Sequence, residues 1–350
     1  MGVLQITNVV NNTSIGKFSK TLHAASSAFS EVYYFRITRQ AQKTCDWAKT
    51  CSGIYLPFGS SWFINTRFRD VTFRTYLREI RKKAKGGEFI HYTSQVVIPI
   101  REISYATVTV HDLYFAEFPE NFDTSFVRLV KANISIYKNI EHINCFSQTM
   151  ARNIENLGFA GKITVLPHPL FEDFIPIRNK IEIRKELGLP VDRKIILSIS
   201  TAEKRKNLRI VKEVTERIGD DYLLVRVGPS IGLGVTYNQV DGYTLIKLYN
   251  AADVLLMPSL FEGYGVPVIE ALACELPVVA SDLEVFHEIA GNNALYFDPH
   301  DANDVIRTVR EVVSGFEVDK SFAAGIRENH SFRKFSESLL TYYRYTGAIA

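Results

Sequence analysis

Two carboxylates with seven residues between them, Glu262 and Glu270, stand in the stretch PSLFEGYGVPVIEALACELPVVASD, residues 258–282. A carboxylate accepts two hydrogen bonds from vicinal hydroxyls, so each suits a sugar or a ribose diol. Gly263 and Gly265 let the backbone pass close to a ligand. Pro267 marks the start of a helix, and Glu270 falls in its first turn; the amino end of such a helix attracts anions. A second group lies in STAEKRKNL, residues 200–208. There Arg205 and Lys206 follow a strand, and fixed cations so placed can stabilise a departing diphosphate. A third is the His111-Asp112 pair in TVTVHDLYFAEFPE, residues 107–120. It reads as a core or capping histidine, a metal-phosphohydrolase pair or a substrate contact, and no further ligands assemble around it at metal spacing. His91 closes a strand and reads equally as core or as site. Gly16, in NVVNNTSIGKFSKTLHAA (residues 8–25), stands where a loop meets the first helix, from about residue 16; it and the N–H groups after it could meet a phosphate or an acceptor, and an ordinary turn explains it equally well.

These residues need rigid elements to hold them. The chain has 350 residues, 46% of them apolar and 23% charged, enough for about two globular domains. Strand-like runs alternate with helix-like runs throughout: VLQIT, EVYYFRI, EFIHYT, ATVTVHD, INCFS and KITVLPH in the first half, then KIILSIS, YLLVRVG, DVLLMPS, LPVVAS and ALYFD. That alternation predicts parallel α/β architecture, two doubly wound Rossmann-like domains facing a central cleft. The proline-rich PHPLFEDFIPIRNK, residues 167–180, has no clear period and divides them. The predicted domains are 1–172 and 173–330, with a C-terminal helix in 331–350.

The segment YNAADVLLMPSLFEGYGVPVIEALACELPVVASDLEVFHEIAGNNALYFDP resembles the nucleotide-sugar-binding segment of glycosyltransferase family 4, retaining enzymes of the two-domain GT-B fold. The resemblance implies that Glu270 holds the donor ribose and Glu262 the transferred sugar. Backbone N–H groups of Gly263, Tyr264, Gly265 and Val266 then line the sugar and diphosphate. Arg205-Lys206-Asn207 resembles the Arg-Lys-Asn signature of a mannosyltransferase-like branch. It implies a UDP- or GDP-linked donor, GDP-mannose by preference, with Lys206 and Arg205 on the diphosphate. Many relatives carry Gly-Arg where this chain has Ser200 and Thr201. Residues 107–120 resemble the family's THD…PE element, which implies that His111 reaches the donor sugar. Gly16 matches a loop that relatives build with two or three glycines. Glu275 stands where relatives carry the glycine that ends the helix, at a cost of about 1 kcal/mol. The C-terminal helix in relatives crosses back onto the first domain.

No Asp-x-Asp occurs in the chain, which fits leaving-group stabilisation without a metal. The net charge of +3 divides unevenly: residues 67–85 hold eight basic and two acidic residues. Phe73, Tyr76, Leu77 and Ile80 there follow a helical spacing, so the segment reads as a helix with a solvated basic face or as a peripheral contact with an anionic membrane. Aromatic residues do not interleave with its charges as nucleic acid binding requires. No apolar run reaches the roughly 18 residues of a membrane span, and the amino terminus reads as a strand. Cys145 and Cys274 read as core, and Cys45 and Cys51 lack zinc-type spacing, so the protein reads as cytoplasmic. The expectation is a metal-independent retaining glycosyltransferase acting on a glycan or lipid-linked acceptor. A nucleotide-sugar epimerase or hydrolase, and a silent sugar-nucleotide-binding module, are the rivals.

Overall fold

The computed structural model describes residues 3–7, 14–28, 30–37, 52–56, 89–97 and 105–349. The basic segment 67–85, Cys45 and Cys51 lie outside them. The chain divides into two compact units: Met1–Phe171 together with Phe332–Ala350, and Glu172–Ser331.

The first unit holds β1 (Val3–Thr7), β2 (Ser30–Ile37), β3 (Ser52–Leu56), β4 (Phe89–Tyr92), β5 (Ala106–Thr109), β6 (His142–Cys145) and β7 (Lys162–Val165). They pair in the order β3-β2-β1-β4-β5-β6-β7, parallel throughout. The second unit holds β8 (Lys194–Ile199), β9 (Tyr222–Val227), β10 (Val235–Tyr237), β11 (Val254–Met257), β12 (Val278–Ser281) and β13 (Ala294–Phe297). Their order is β10-β9-β8-β11-β12-β13, again parallel. Parallel strands need crossovers, and helices packed on a sheet bury its faces, which is why β1, β11 and β12 are buried at every residue. Both sheets are doubly wound. Their order reverses between β1 and β4, and between β8 and β11. Ligands of such sheets bind outside the carboxyl ends of the strands at that reversal.

The core of the second unit packs Ile196 and Leu224 against Val211 and Val214 of the helix Leu208–Arg217, and against Val305 and Val309 of the helix Ala302–Val313. Two strands escaped the sequence pattern. β10 is three half-buried residues after a glycine-rich run, too short for a period, and β3 follows no alternation. Two helices did too. In Lys180–Glu186 only Ile183 and Arg184 are buried, so no apolar stripe marks it, and Lys320–Asn329 buries only Ala323 and Ile326. At Glu275 the sequence expectation holds: its φ is +58°, and the bonds from Leu276 N to Ala271 O (2.9 Å) and Glu275 N to Leu272 O (3.0 Å) close a left-handed helix cap.

The C-terminal helix Phe332–Tyr345 packs on the helix Ser14–Ala25 of the first unit. A buried polar chain fastens it to the sheet. Thr109 donates to Asn144 Oδ1 at 2.8 Å, so its oxygen is the acceptor for His91 Nε2, also at 2.8 Å. His91 Nδ1 is then the acceptor for the Tyr343 hydroxyl, at 2.6 Å. Asn144 also donates to Thr107, which meets the Tyr342 hydroxyl. His91 is fully buried and holds structure, which resolves the two readings of this residue. Burial, helped by the neighbouring His111, depresses its pKa to about 3.

A neutral buried imidazole takes up its proton only on unfolding. Its contribution is therefore complete above pH 6.5 and is lost as pH falls from 6.5 toward 3. The stability of the first unit should fall by about 1.4 kcal/mol per pH unit from this residue alone. Urea denaturation between pH 6.5 and 5 measures it; the slope should flatten in His91→Asn, and an unchanged slope would contradict the assignment.

Candidate active site

The strand reversal of the second unit is where the sequence-predicted cations and Glu262 meet. Residues 200–207 leave the carboxyl end of β8, and residues 258–265 leave that of β11. In the first loop a single 3-10 turn, Lys204–Lys206, ends on Asn207 in the left-handed region (φ +51°). Asparagine tolerates that conformation better than most residues. Its side-chain amide donates to Pro299 O at 2.8 Å, which pins the turn. The turn is joined to the second loop by Leu260 N donating to Arg205 O at 2.7 Å.

Three side chains converge there. Glu262 Oε1 accepts from Lys206 Nζ at 2.5 Å and from Ser259 Oγ at 2.7 Å, while Oε2 accepts from Arg205 Nη1 at 2.8 Å. The side chains are 7% (Glu262), 11% (Lys206) and 12% (Arg205) exposed. Burial pushes the Glu262 carboxyl pKa up. The Lys206 and Arg205 charges and the bonds from Lys206 and Ser259 outweigh it, and the net shift is downward. Arg205 Nε turns to the rim and meets Glu203, whose carboxylate is nearly half exposed, at 2.6 Å. Sequence reasoning gave the two cations and Glu262 separate partners; the structure makes them partners of each other, and adds Ser259 and Glu203, which no motif had flagged.

The glycine loop closes tightly behind them. Gly265 has φ +108°, and a Cβ there would lie 2.7 Å from the Phe286 ring. The helix Val266–Ala273 follows, with Pro267 in its first turn. Because the helix begins at Val266, Glu270 lies in its second turn, not its first as the sequence suggested. Glu270 is buried and accepts from the Tyr249 hydroxyl at 2.6 Å. Tyr264 is buried too, its hydroxyl 3.4 Å from His330 Nε2.

Under the first loop runs a cation that sequence reasoning missed. Arg226 on β9 is fully buried and donates to Pro229 O (2.6 Å), Ser200 O (2.8 Å) and the hydroxyls of Ser198 and Ser200 (3.2 Å each). It fixes the turn at Ser200. Its only sequence signal was a charge inside an apolar strand.

His111 and Gly16 belong to the first unit. His111 Nε2 lies 2.8 Å from Thr93 O, and a carbonyl only accepts, so Nε2 carries the hydrogen. Burial lowers the pKa to about 4, against the opposing pull of the Thr93 carbonyl, so the ring is neutral with its lone pair on Nδ1. Gln95 braces the turn, accepting from His111 N (3.1 Å) and donating to Asp112 O (2.6 Å). The ring meets Phe18 and Phe146 at 5.0 and 5.4 Å between centroids. Gly16 lies within the helix Ser14–Ala25: helical geometry begins at Ser14, two residues earlier than the sequence indicated. Among the described residues no group of three or more His, Cys, Asp or Glu side chains could hold a metal ion.

Residues 179–329 match the family of glycosyl transferases, group 1. The match lies within the second unit and covers less than half of the chain. All the second-unit site residues lie within the group 1 segment. The chain is 30% identical over 226 residues to the O-antigen chain mannosyltransferase RfbU of Salmonella typhimurium, covering 62% of each chain. It is 27% identical over 249 residues to O-antigen chain mannosyltransferase B of Escherichia coli, covering 62% of this chain and 63% of that one. The chain thus spans less than two thirds of the length of these curated relatives. Over its whole length it is similar in fold to sucrose-phosphate synthase from Thermosynechococcus elongatus, with TM-score 0.77, 17% identity and complete coverage of both chains. The fold class is GT-B, with two Rossmann-like domains.

Breaking a buried ion pair by removing one partner costs about 3–5 kcal/mol. Glu262→Ala should therefore lower stability by about 3 kcal/mol in urea denaturation, because Lys206 and Arg205 stay buried without their carboxylate. A loss below about 1 kcal/mol would show that the cluster is not a buried ion pair in solution.

Proposed function

We propose that this protein is a retaining glycosyltransferase that moves a sugar from a nucleoside diphosphate donor, UDP- or GDP-linked, to a glycan or lipid-linked acceptor. The observation that carries the reading is the Lys206–Glu262–Arg205 cluster at the strand reversal of the second unit. Two cations held at low exposure stabilise a leaving diphosphate far better than cations in water, because no solvent must reorganise around them. This supports departure without a metal. Glu262 aligns both cations. A carboxylate has about four acceptor positions, and three donors occupy Glu262, which leaves capacity for a sugar hydroxyl. Glu270 is assigned to the ribose diol, the N–H groups of Gly263 to Val266 to the diphosphate, and Gly16 to the donor phosphate or the acceptor.

The first unit is assigned the acceptor. His111, neutral and braced by Gln95, is assigned to the sugar hydroxyls. No general base or protein nucleophile is assigned. Mannose from GDP-mannose is the favoured donor, since both curated relatives described above are named as mannosyltransferases. Among the described residues no helix is long and apolar enough to cross a membrane. Contact with an anionic membrane through residues 67–85 is part of the proposal and rests on their charge alone.

A thermal-shift series tests the donor reading. A ligand at one hundred times its Kd adds about 2.7 kcal/mol of stability. GDP or UDP should raise Tm, the shift should persist in EDTA, and Lys206→Ala should abolish it relative to that variant's own baseline. Incubation with labelled GDP-mannose should give slow turnover without acceptor. Rapid hydrolysis or epimerisation, or no shift with either nucleotide, would overturn the proposal.

A further inference from the structure

Arg226 is fully buried, and its hydrogen bonds go to neutral acceptors: the carbonyls of Ser200 and Pro229 and the hydroxyls of Ser198 and Ser200. Among the described residues no carboxylate pairs with it. Arg184, the buried arginine near the amino end of β8, is the contrast, since it meets Asp253 at 2.6 Å. Burial lowers the Arg226 pKa, and no neighbouring charge shifts it either way. A guanidinium keeps its proton even so. Burying a charge without a counter-ion is costly, and here the unanswered charge stands at the end of the sheet where ligands of this fold bind.

Ser200 opens the loop that carries Arg205 and Lys206, and Pro229 lies in the loop after β9. Gly228, at φ +129°, brings the two loops together: a Cβ there would lie 2.1 Å from Ser200 O and 3.3 Å from Arg226 Nη2. Backbone from both loops therefore roofs the guanidinium, and a ligand above them cannot touch it. Its field still reaches that ligand, because a buried charge is screened far less by solvent and salt than an exposed one. We propose that Arg226 is a third cation of the diphosphate site, acting through its field from beneath residues 200–207, with the ligand's phosphates as its counter-charge. This rests on the reading of Lys206 and Arg205 as that site.

Equilibrium binding of GMP, GDP, UMP and UDP to the full chain tests it. Two unit charges about 10 Å apart, at the effective dielectric of a protein, change affinity about tenfold, so the effect grows with ligand charge. In Arg226→Gln, which keeps an amide donor and loses the charge, the preference for diphosphate over monophosphate should fall at least about threefold. Arg226→Lys, which keeps the charge and loses the fork, should retain most of it. A merely structural role would weaken both ligands alike, or would make Lys as poor as Gln, and either outcome overturns the inference. In the Lys206→Met background, Arg226→Gln should lower diphosphate affinity by the same factor as in the wild type, since independent charges add. No further loss there would show that Arg226 works only by placing Lys206, which also overturns the inference. These outcomes leave the diphosphate reading standing, whereas a wild-type preference near one overturns that reading and the inference with it. Should Arg226→Gln not fold, Ser198→Asp sets a carboxylate against the guanidinium and leaves Arg226 in place. It should cut the preference likewise, and an unchanged preference in that natively folded variant counts against the inference.

Discussion

A carboxylate with 7% of its side chain exposed stays ionised because two cations and a serine hydroxyl reach it, and that constraint organises the second unit. Glu262 must sit where the loop after β8 and the loop after β11 both end. Those strands are neighbours in the sheet although more than fifty residues separate them. The left-handed turn at Asn207, the close approach of Gly265 to Phe286 and the buried Arg226 under Ser200 all bring those loops into contact range. The ion cluster is the product of the strand reversal, and it leaves two cations fixed before any ligand arrives.

The first unit meets the same problem of buried polarity with neutral groups. His91, Thr109, Asn144 and Tyr343 exchange single hydrogen bonds in a chain whose proton positions are all determined. Such a network binds a helix from the far end of the sequence to the sheet at the cost of sensitivity to acid. The second unit keeps its own structural ion pair away from the site. Arg184 meets Asp253 at 2.6 Å, and Asp253 accepts from Ile195 N, at the amino end of β8. The Arg184–Asp253 pair at the amino end of β8 holds structure, while the Lys206–Glu262–Arg205 cluster stands at the carboxyl ends of β8 and β11, where ligands of this fold class bind.

The strand and helix runs with a clear period were legible, and so was the fold class, because buried parallel strands write themselves as apolar runs. Short or mostly exposed elements such as β10 and the helix Lys180–Glu186 left no stripe to read. Arg205, Lys206, Glu262 and Glu270 were visible as residue types. Their mutual pairing was not, since it depends on which strands are neighbours. Tyr249 and Gln95 were invisible for the same reason: a buried tyrosine on a helix and a glutamine after a strand look like packing until their hydroxyl and amide are seen against Glu270 and the His111 turn.

The central claim is that Lys206 and Arg205 are a diphosphate site. The direct measurement is the ratio of Kd for nucleoside mono- and diphosphates, GMP against GDP and UMP against UDP, in the wild type and in Lys206→Met, which keeps the stem and removes the charge. The wild type should prefer the diphosphate at least about tenfold, as a charge-assisted contact implies, and the variant should lose most of that preference while binding the monophosphate as before. An equal preference in both proteins would contradict the account.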